Sequence, residues 1–257
     1  MKPVIVNQSS WGCLRVTGSD RTRFLQGMVT NDVATLAKGA FVRAAILSVK
    51  GRVLALVDIV NEGDSLLVLS ERACAATAHE VLERHAIMDD VGFTPIELPI
   101  HRAWSTPEDT WTAPPVFESR SGSPDGEVEV RRVEGGLPKF GVDVSDEYFP
   151  FEAGLDQIIC RSKGCFVGQE VVVRAHARGH ANKRLVGIRL SGEGIAAPGT
   201  PVFADARPDA GKITSSVVSP LFGPIALAYV HRSSWEPGNK VVIGGRDGVI
   251  AELPFTP

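Results

Sequence analysis

The most constraining feature of the sequence is a regular succession of short strand-like runs after residue 183. The runs are rich in β-branched and aliphatic residues, and glycine and proline turns separate them at intervals of roughly 8–12 residues. They cover residues 185–190, 201–203, 213–219, 225–230, 240–243 and 249–253. Such spacing is typical of a small antiparallel barrel or sandwich. We therefore expect a C-terminal β-domain over residues 183–257, after a first region over residues 1–182.

The first hundred residues predict a mixed α+β unit. Apolar residues recur with helical spacing in Arg21–Met28 and Glu71–His85. Phe41–Leu47 and Arg52–Val60 flank the polar pair Lys50-Gly51, which predicts a β-hairpin. Further strands are expected at Val4–Val6, Cys13–Val16, Ser65–Leu69, Asp90–Glu97 and Val128–Val133. Residues 101–127 are rich in proline, serine and glycine and are expected to form a connector.

Composition and charge exclude several classes of partner. The chain has 257 residues, 44% of them hydrophobic, and a net charge of -3, so it has material for a core and no global attraction to nucleic acid or anionic lipid. The first residues lack the apolar run of a signal peptide, and the longest apolar runs, such as Val53–Val60, are too short to span a bilayer. Four cysteines do not make a disulfide framework. We expect a cytoplasmic protein with reduced thiols that binds neither DNA nor membranes.

Lys163–Glu170 is the stretch that most clearly suggests chemistry. It contains Cys165 close to Lys163 and between Gly164 and Gly168. A nearby cation favours the reactive thiolate, and glycine permits close backbone approach or positive φ. The segment therefore predicts a loop that presents a thiol. The alternative is that Cys165 is a small buried residue beside Phe166.

Two further patterns surround this stretch. Cys160, Cys165, His176 and His180 form C-x4-C-x10-H-x3-H, which approaches the spacing of a zinc finger and predicts a structural zinc module as an alternative. A basic strip follows, and it either holds a phosphate or carboxylate tail or is a solvated face. The strip consists of Arg174, His176, Arg178, His180, Lys183 and Arg184.

The same residues resemble a known family. Lys163–Glu170, Lys-Gly-Cys-Phe-Val-Gly-Gln-Glu, resembles the K-G-C-Y-x-G-Q-E signature of the YgfZ proteins. These belong to the superfamily of the glycine cleavage T-protein, a folate-dependent aminomethyltransferase. Phe24–Val33 looks like the F-L-Q-G-x-V-T-x-D-V helix of the family, and Arg132–Asp143 resembles its E-x-G-x-P-x-x-G-x-D run. The resemblance extends in order over nearly the whole chain.

The resemblance implies a fold and a function. The fold would be α+β in three parts, with ferredoxin-like α+β domains, an inserted subdomain at about residues 46–114 and a C-terminal antiparallel β-barrel around a central channel. The function would be tetrahydrofolate binding and assistance in iron–sulfur cluster assembly or repair, with iron–sulfur carrier or client proteins as partners. Cys165 would be the reactive residue and a transient iron–sulfur ligand, without a permanently bound metal. The residues carried over as folate-binding are Lys163, Gly168, Gln169, Glu170 and Arg178.

The chain also departs from the T-protein pattern. Ala55 and Leu56 stand where the T-protein has an acidic pair, and Asp58 comes three residues after the first of these positions. The G-Y-T-G-E segment, whose glutamate holds the pterin, has no clear counterpart in residues 101–130, and Ser70 roughly replaces an asparagine. Phe166 lacks the hydroxyl of the usual tyrosine. Classical aminomethyl transfer is therefore not expected, and the alternative function is a folate-dependent one-carbon transferase with an unknown donor.

Overall fold

The computed structural model describes residues 2–177, 181–205 and 207–256, with side chains at all of these positions except 176 and 177. Its N-terminal region is a mixed α+β body. The elements are β1 (Val4–Asn7), β2 (Gly12–Thr17), α1 (Arg21–Met28), β3 (Phe41–Leu47), β4 (Val53–Asn61), β5 (Leu66–Ser70), α2 (Arg72–His85), β6 (Gly92–Ile96), β7 (His101–Trp104), α3 (Asp109–Thr112), α4 (Asp125–Glu134), a short 3-10 helix (Asp156–Ile158) and α5 (Gln169–Ala177).

A five-stranded antiparallel sheet with the order β3-β4-β5-β2-β6 organises this region. One face of the sheet is covered by α1 and α2. In α2 the buried residues are Cys74, Ala78 and Leu82, which recur every four positions and form one apolar stripe. The sheet also includes β2 and most of β3, which precede residue 46, the start of the predicted inserted subdomain. Outside the sheet, β1 pairs with β7.

The C-terminal region is a closed antiparallel barrel with the order β10-β11-β8-β13-β12-β9. Its strands are β8 (Lys183–Leu190), β9 (Pro201–Ala204), β10 (Arg207–Ser219), β11 (Gly223–His231), β12 (Lys240–Ile243) and β13 (Arg246–Ala251). Alternate residues of a strand point to opposite faces. Ala226 and Ala228 accordingly belong to one core cluster, whereas Leu227 and Tyr229 pack in another cluster with residues of the N-terminal region. The predicted α+β fold with an antiparallel C-terminal barrel is confirmed.

Two local predictions need correction. The predicted strand at Val128–Val133 is wrong, because these residues lie in α4. Ion pairs with helical spacing, Arg131 with Glu134 and Arg132 with Glu129, favour the helix over the alternation of valine with charged residues. The connector predicted over residues 101–127 contains β7 and α3. In the described part of the chain, no helix is long and apolar enough to cross a membrane.

A buried polar network joins α4 to the barrel. Arg132 donates hydrogen bonds to a carboxylate oxygen of Asp143 and to the hydroxyl of Ser215 on β10, both at 2.7 Å. Thr214 and Ser215 donate to the other oxygen of Asp143 at 2.5 and 2.8 Å, and the Tyr229 hydroxyl donates to the Asp143 carbonyl at 2.8 Å. The helix and the barrel are therefore held in one fixed arrangement.

Candidate functional site

A cavity of about 300 Å³ lies where the sheet, the β1–β7 pair and α4 meet. This volume is at the lower end of the range of small-molecule sites. We call it the central cavity. Its lining combines tryptophan and aliphatic side chains with charged groups from β3, β4, the start of α2, α4 and the loop after α4. The residues used below are Trp104, Asp58, Arg43, Glu71, Glu129, Arg132 and Lys139.

A buried ion cluster forms one wall of the central cavity. Asp58 accepts hydrogen bonds from Arg43 at 2.8 and 3.3 Å and from Arg102 at 2.6 Å. Burial alone would raise the pKa of Asp58, but the two guanidinium groups outweigh it, and the pKa is lowered. The remaining donors of Arg43 and Arg102 include bonds to Thr110 O, at 2.7 Å, and Gln8 Oε1, at 2.8 Å. The Asp58 carboxylate is therefore fully engaged, and the cluster of two guanidinium groups and one carboxylate carries one net positive charge.

A second ion cluster lies on α4. Arg132 donates to both carboxylate oxygens of Glu129, at 2.9 and 2.6 Å, besides its bonds to Asp143 and Ser215. Burial opposes ionisation of Glu129, but its pKa is lowered because Arg132 donates to the carboxylate. Glu129 and Arg132 therefore stay charged at neutral pH and serve the architecture.

Glu71 differs from the other acidic residues of the central cavity. It directly precedes α2, and burial raises its pKa to about 7, against opposing effects of Lys139, Arg132, Arg43 and the backbone N–H of Phe140. Within the part of the chain that the structure describes, Glu71 makes no ion pair. A carboxyl with such a pKa changes its charge near neutral pH.

The Lys163–Glu170 segment lies against α1 and the β3–β4 turn. The ammonium of Lys163 donates to the carbonyl oxygens of Gln26, Val29 and Asn31 at 2.6, 2.6 and 2.8 Å. Burial lowers the pKa of Lys163 to about 8. A cation at the carbonyl end of a helix is electrostatically favourable, so Lys163 fixes the segment to the end of α1. Its predicted influence on the Cys165 thiol stays a prediction.

The other end of the segment is fixed by Gly168. Its φ is +81°, and a Cβ there would approach the carbonyl oxygen of Ser48 to 2.5 Å, so glycine is required. Phe166 is buried in the core. Cys165 lies between these anchors and is exposed, so the alternative of a buried Cys165 is wrong. The segment presents the thiol on a rigid support.

Cys160 is the thiol that sequence reasoning undervalued. It is partly buried, its thiol lies 3.4 Å from the hydroxyl of Ser162, and it lines a cavity of about 280 Å³ together with Phe166 and Gln169. The pKa of Cys160 is lowered, first by the hydrogen bond with Ser162 and then by the backbone N–H groups of Ser162 and Lys163. The serine two residues after the cysteine was the available signal.

The predicted site residues are not brought into the central cavity. Lys163, Cys165, Gly168 and Glu170 lie outside its lining, and Gln169 lines the smaller cavity beside Cys160. Glu170 pairs with Arg174 along α5. Their assignment to folate stays a prediction. Of the basic strip, Arg178 and His180 lie outside the described residues, and so does the side chain of His176.

The described residues of the zinc pattern, Cys160 and Cys165, do not belong to a group of metal-binding side chains. The described residues contain no group of three or more His, Cys, Asp or Glu side chains close enough to hold a metal ion. Because His180 and the side chain of His176 are not described, the zinc module stays a prediction.

Glu71, Lys139 and Trp104 were not found from the sequence. They are far apart in the chain and belong to no shared motif. The sequence offered one positional signal. Glu71 directly follows the buried strand β5, and a side chain at the end of a strand can line a site there.

Comparisons with known proteins agree with the fold. Residues 183–255 match the family model of the glycine cleavage T-protein C-terminal barrel domain. An aminomethyltransferase of Rubrobacter xylanophilus is 29% identical over 249 residues, which are 95% of this chain and 57% of the relative. An aminomethyltransferase of Thermosynechococcus vestitus is 34% identical over 135 residues, which are 51% of this chain and 36% of the relative. The chain thus matches well under two thirds of the length of either relative.

A solved structure extends the likeness over the whole fold. The crystal structure of the glycine cleavage system aminomethyltransferase T from Bartonella henselae superposes with a TM-score of 0.83 at 18% identity, covering 99% of this chain and 86% of that one. Together these findings show that residues 183–255 are similar to the barrel domain of the glycine cleavage T-protein and that the whole chain has the same fold as the solved aminomethyltransferase.

Proposed function

We propose that the chain is a YgfZ-like tetrahydrofolate-binding protein that assists iron–sulfur cluster assembly or repair. The observation that carries the proposal is the exposed thiol of Cys165, held between the anchors Lys163 and Gly168. A thiolate is a soft ligand suited to iron in such clusters. An exposed thiol on a rigid support is accessible to a carrier or client protein.

The central cavity supports the folate part of the proposal. It has the size of a small-molecule site, combines aromatic with charged lining, and lies at the junction of the parts of the fold. The chain is similar to aminomethyltransferases, and its resemblance to the folate-dependent T-protein implies tetrahydrofolate as the ligand of this cavity.

The same cavity argues against classical aminomethyl transfer. Ala55 packs in the core below the sheet, and Leu56 faces the central cavity, so neither T-protein carboxylate position supplies an acid or base. Asp58 is on the cavity side, but its oxygens accept from Arg43 and Arg102 and its pKa is lowered. A carboxylate so stabilised is a poor proton acceptor.

The test of the cluster role is Cys165→Ala in a host strain that lacks the native gene. We expect the activity of cluster-containing enzymes to fall to the level of the deletion strain at equal protein abundance. Cys160→Ala is the comparison variant, because it removes a second thiol five residues before Cys165. Full activity with Cys165→Ala would refute the proposed role of Cys165, and loss only with Cys160→Ala would transfer the role to that residue.

The second candidate function is a folate-dependent one-carbon or methyl transferase with an unknown donor, favoured by the similarity to aminomethyltransferases. Anaerobic calorimetric titration with tetrahydrofolate tests what both functions share. Binding of tetrahydrofolate together with the loss of cluster-enzyme activity in Cys165→Ala favours the assembly role, whereas chemical conversion of the bound tetrahydrofolate by a cell extract favours the transferase. Absence of both heat and thermal shift would refute folate binding.

A further inference from the structure

A second pocket, of about 230 Å³, opens on the barrel where the beginnings of β8 and β10 and the end of β11 meet Tyr148. We call it the barrel pocket. It shares no lining residue with the central cavity, and it is smaller than the usual site of a drug-sized ligand, so it suits a small group. Its charged and imidazole side chains are those of Lys183, Arg207, Asp209, Lys212 and His231.

The strand register brings these side chains to one face of the barrel. Lys183 on β8 is the register partner of His231 on β11. Lys212 on β10 is the partner of Tyr229, which stands two residues before His231 on the same face of β11. Arg207 joins the group from an irregular part of β10, where the register with β9 shifts, and such irregularities re-aim side chains.

The basic strip predicted from the sequence is thereby divided. Lys183 lines the barrel pocket, whereas its neighbour Arg184 points to the opposite face of β8 and lines a different cavity. Arg174 pairs with Glu170 on α5. The cations that accompany Lys183 come instead from β10, about 25 residues later in the chain, and no local pattern groups them.

The three cations of the barrel pocket have no carboxylate partner in the described part of the chain. Neither Lys183 nor Lys212 forms an ion pair there, and neither does Arg207. Arg207 donates from Nε to the carbonyl oxygen of Asp209 at 2.8 Å, which leaves the two terminal nitrogens of its guanidinium available. Together with the Asp209 carboxylate, the lining carries two net positive charges.

Aromatic rings, rather than a counter-ion, position Lys183. Its ammonium lies 4.2 Å from the ring centroid of Tyr148 and 5.5 Å from that of Tyr229. The two rings stack at 4.1 Å, both are buried, and the Tyr229 hydroxyl donates to the Asp143 carbonyl at 2.8 Å. The ammonium is therefore held beside the pocket on a rigid support, which lowers the entropic cost of binding an anion.

His231 contributes a hydrogen-bond donor without a charge. Its Nδ1 accepts the backbone N–H of Ser233 at 3.2 Å, so the neutral ring carries its proton on Nε2. The pKa of His231 is lowered, first by desolvation and then by Arg207 and Arg232, which keeps the ring neutral at pH 7 and above. The barrel pocket thus combines two ammonium groups, a guanidinium and a neutral N–H donor.

We propose that the barrel pocket binds a phosphate group, either free or as the phosphomonoester of a small molecule. The two negative charges of such a group near neutral pH offset the two net positive charges of the lining. Its oxygens accept hydrogen bonds from the Arg207 guanidinium and from the ammonium groups of Lys183 and Lys212. A single carboxylate would offset one charge only. The proposal concerns residues outside the central cavity and is independent of the proposed function.

The experiment is calorimetric titration of the full chain at pH 8 and constant ionic strength with inorganic phosphate, ribose 5-phosphate and glutarate. Arg207→Gln and Lys212→Gln should each weaken binding of both phosphate probes about fivefold to tenfold, the size expected for a charged hydrogen bond at an exposed site. Asp209→Asn removes a like charge and should strengthen binding about threefold, which a merely structural role would not produce. Lys240→Gln changes an exposed lysine of β12 outside the pocket and should leave the dissociation constant unchanged.

The three probes identify the ligand. Tighter binding of ribose 5-phosphate than of inorganic phosphate would identify a phosphomonoester, and equal binding would identify the phosphate group itself. Glutarate carries the same charge on two separate carboxylates and should bind about tenfold more weakly or less. Equal binding of glutarate and inorganic phosphate would overturn the choice of phosphate.

Two results would overturn the site itself. One is the absence of both heat and thermal shift with the two phosphate probes. The other is an equal dissociation constant for the wild type, Lys212→Gln and Lys240→Gln, which would show binding elsewhere on the surface. Circular dichroism of each variant checks folding, and the opposite effects expected for Lys212→Gln and Asp209→Asn keep the test decisive if Arg207→Gln is misfolded.

Discussion

Replacing Glu71 by glutamine should stabilise the protein, and only above acidic pH. In the folded chain, burial raises the pKa of Glu71 from 4.5 to about 7, so folding opposes its ionisation. This cost is absent below the unfolded pKa and complete above the folded one. A difference of this size is worth roughly 3 kcal/mol at pH 8 and about 1 kcal/mol at pH 5, at 1.36 kcal/mol per pKa unit. Glutamine has the same shape and never ionises, so it removes the cost.

Urea denaturation followed by circular dichroism at pH 5, 6, 7 and 8 measures this directly. The free energy of unfolding of Glu71→Gln minus that of the wild type should grow as pH rises from 5 to 7 and then level off. Glu80→Gln changes an exposed glutamate within α2 and should leave the free energy of unfolding unchanged at every pH. A Glu71→Gln variant equal to or less stable than the wild type at pH 8, or a gain that does not shrink towards pH 5, would contradict the raised pKa of Glu71.

Three other outcomes follow from the Lys163–Glu170 segment. Lys163→Met should lower the free energy of unfolding by about 2 kcal/mol in urea melts at pH 9, because three carbonyl oxygens lose their donor, and by less at pH 7, because burial lowers the pKa of Lys163 to about 8 and folding opposes its charged form; an unchanged midpoint at pH 9 would refute the anchor. Gly168→Ala should cost roughly 1–3 kcal/mol through positive φ and the contact with Ser48, whereas Gly164→Ala, with no atom near its Cβ, should be within about 0.5 kcal/mol of the wild type. Iodoacetamide with mass mapping should modify Cys165 well before Cys74, since Cys74 is buried and its pKa is raised to about 11; equal rates would argue against the exposed loop.

Local patterns predicted the architecture where one physical cause dominates. The barrel strands were predicted because their alternation follows from the two faces of a strand, and glycine and proline mark the turns between them. The hairpin around Gly51 was predicted for the same reason, and Gly51 indeed has a φ of +74°. The α4 helix was missed because Val128–Val133 alternates like a strand, and only the ion pairs three residues apart reveal the helix.

The site was predicted less well than the fold, because most of its residues come from segments that are far apart in the sequence. The exposed loop around Cys165 is encoded in one contiguous motif and was found, but its exposure depended on packing against α1 that the sequence does not display. The central cavity is assembled from segments that meet only in the folded chain. Whether Glu71 is paired or unpaired depends on distances to Lys139 and Arg132, which no local pattern contains.

The network between α4 and the barrel limits how this architecture can be shortened or recombined. Arg132 and Asp143 are almost fully buried, and Ser215 and Thr214 from the barrel complete their hydrogen bonds. Excising residues 183–257 would remove the Ser215 and Thr214 hydroxyls that bond this ion pair, and each hydrogen bond lost to a charged group costs about 1.5–3 kcal/mol. A chimera therefore needs a donor barrel that supplies a serine and a threonine at the contact with Arg132 and Asp143.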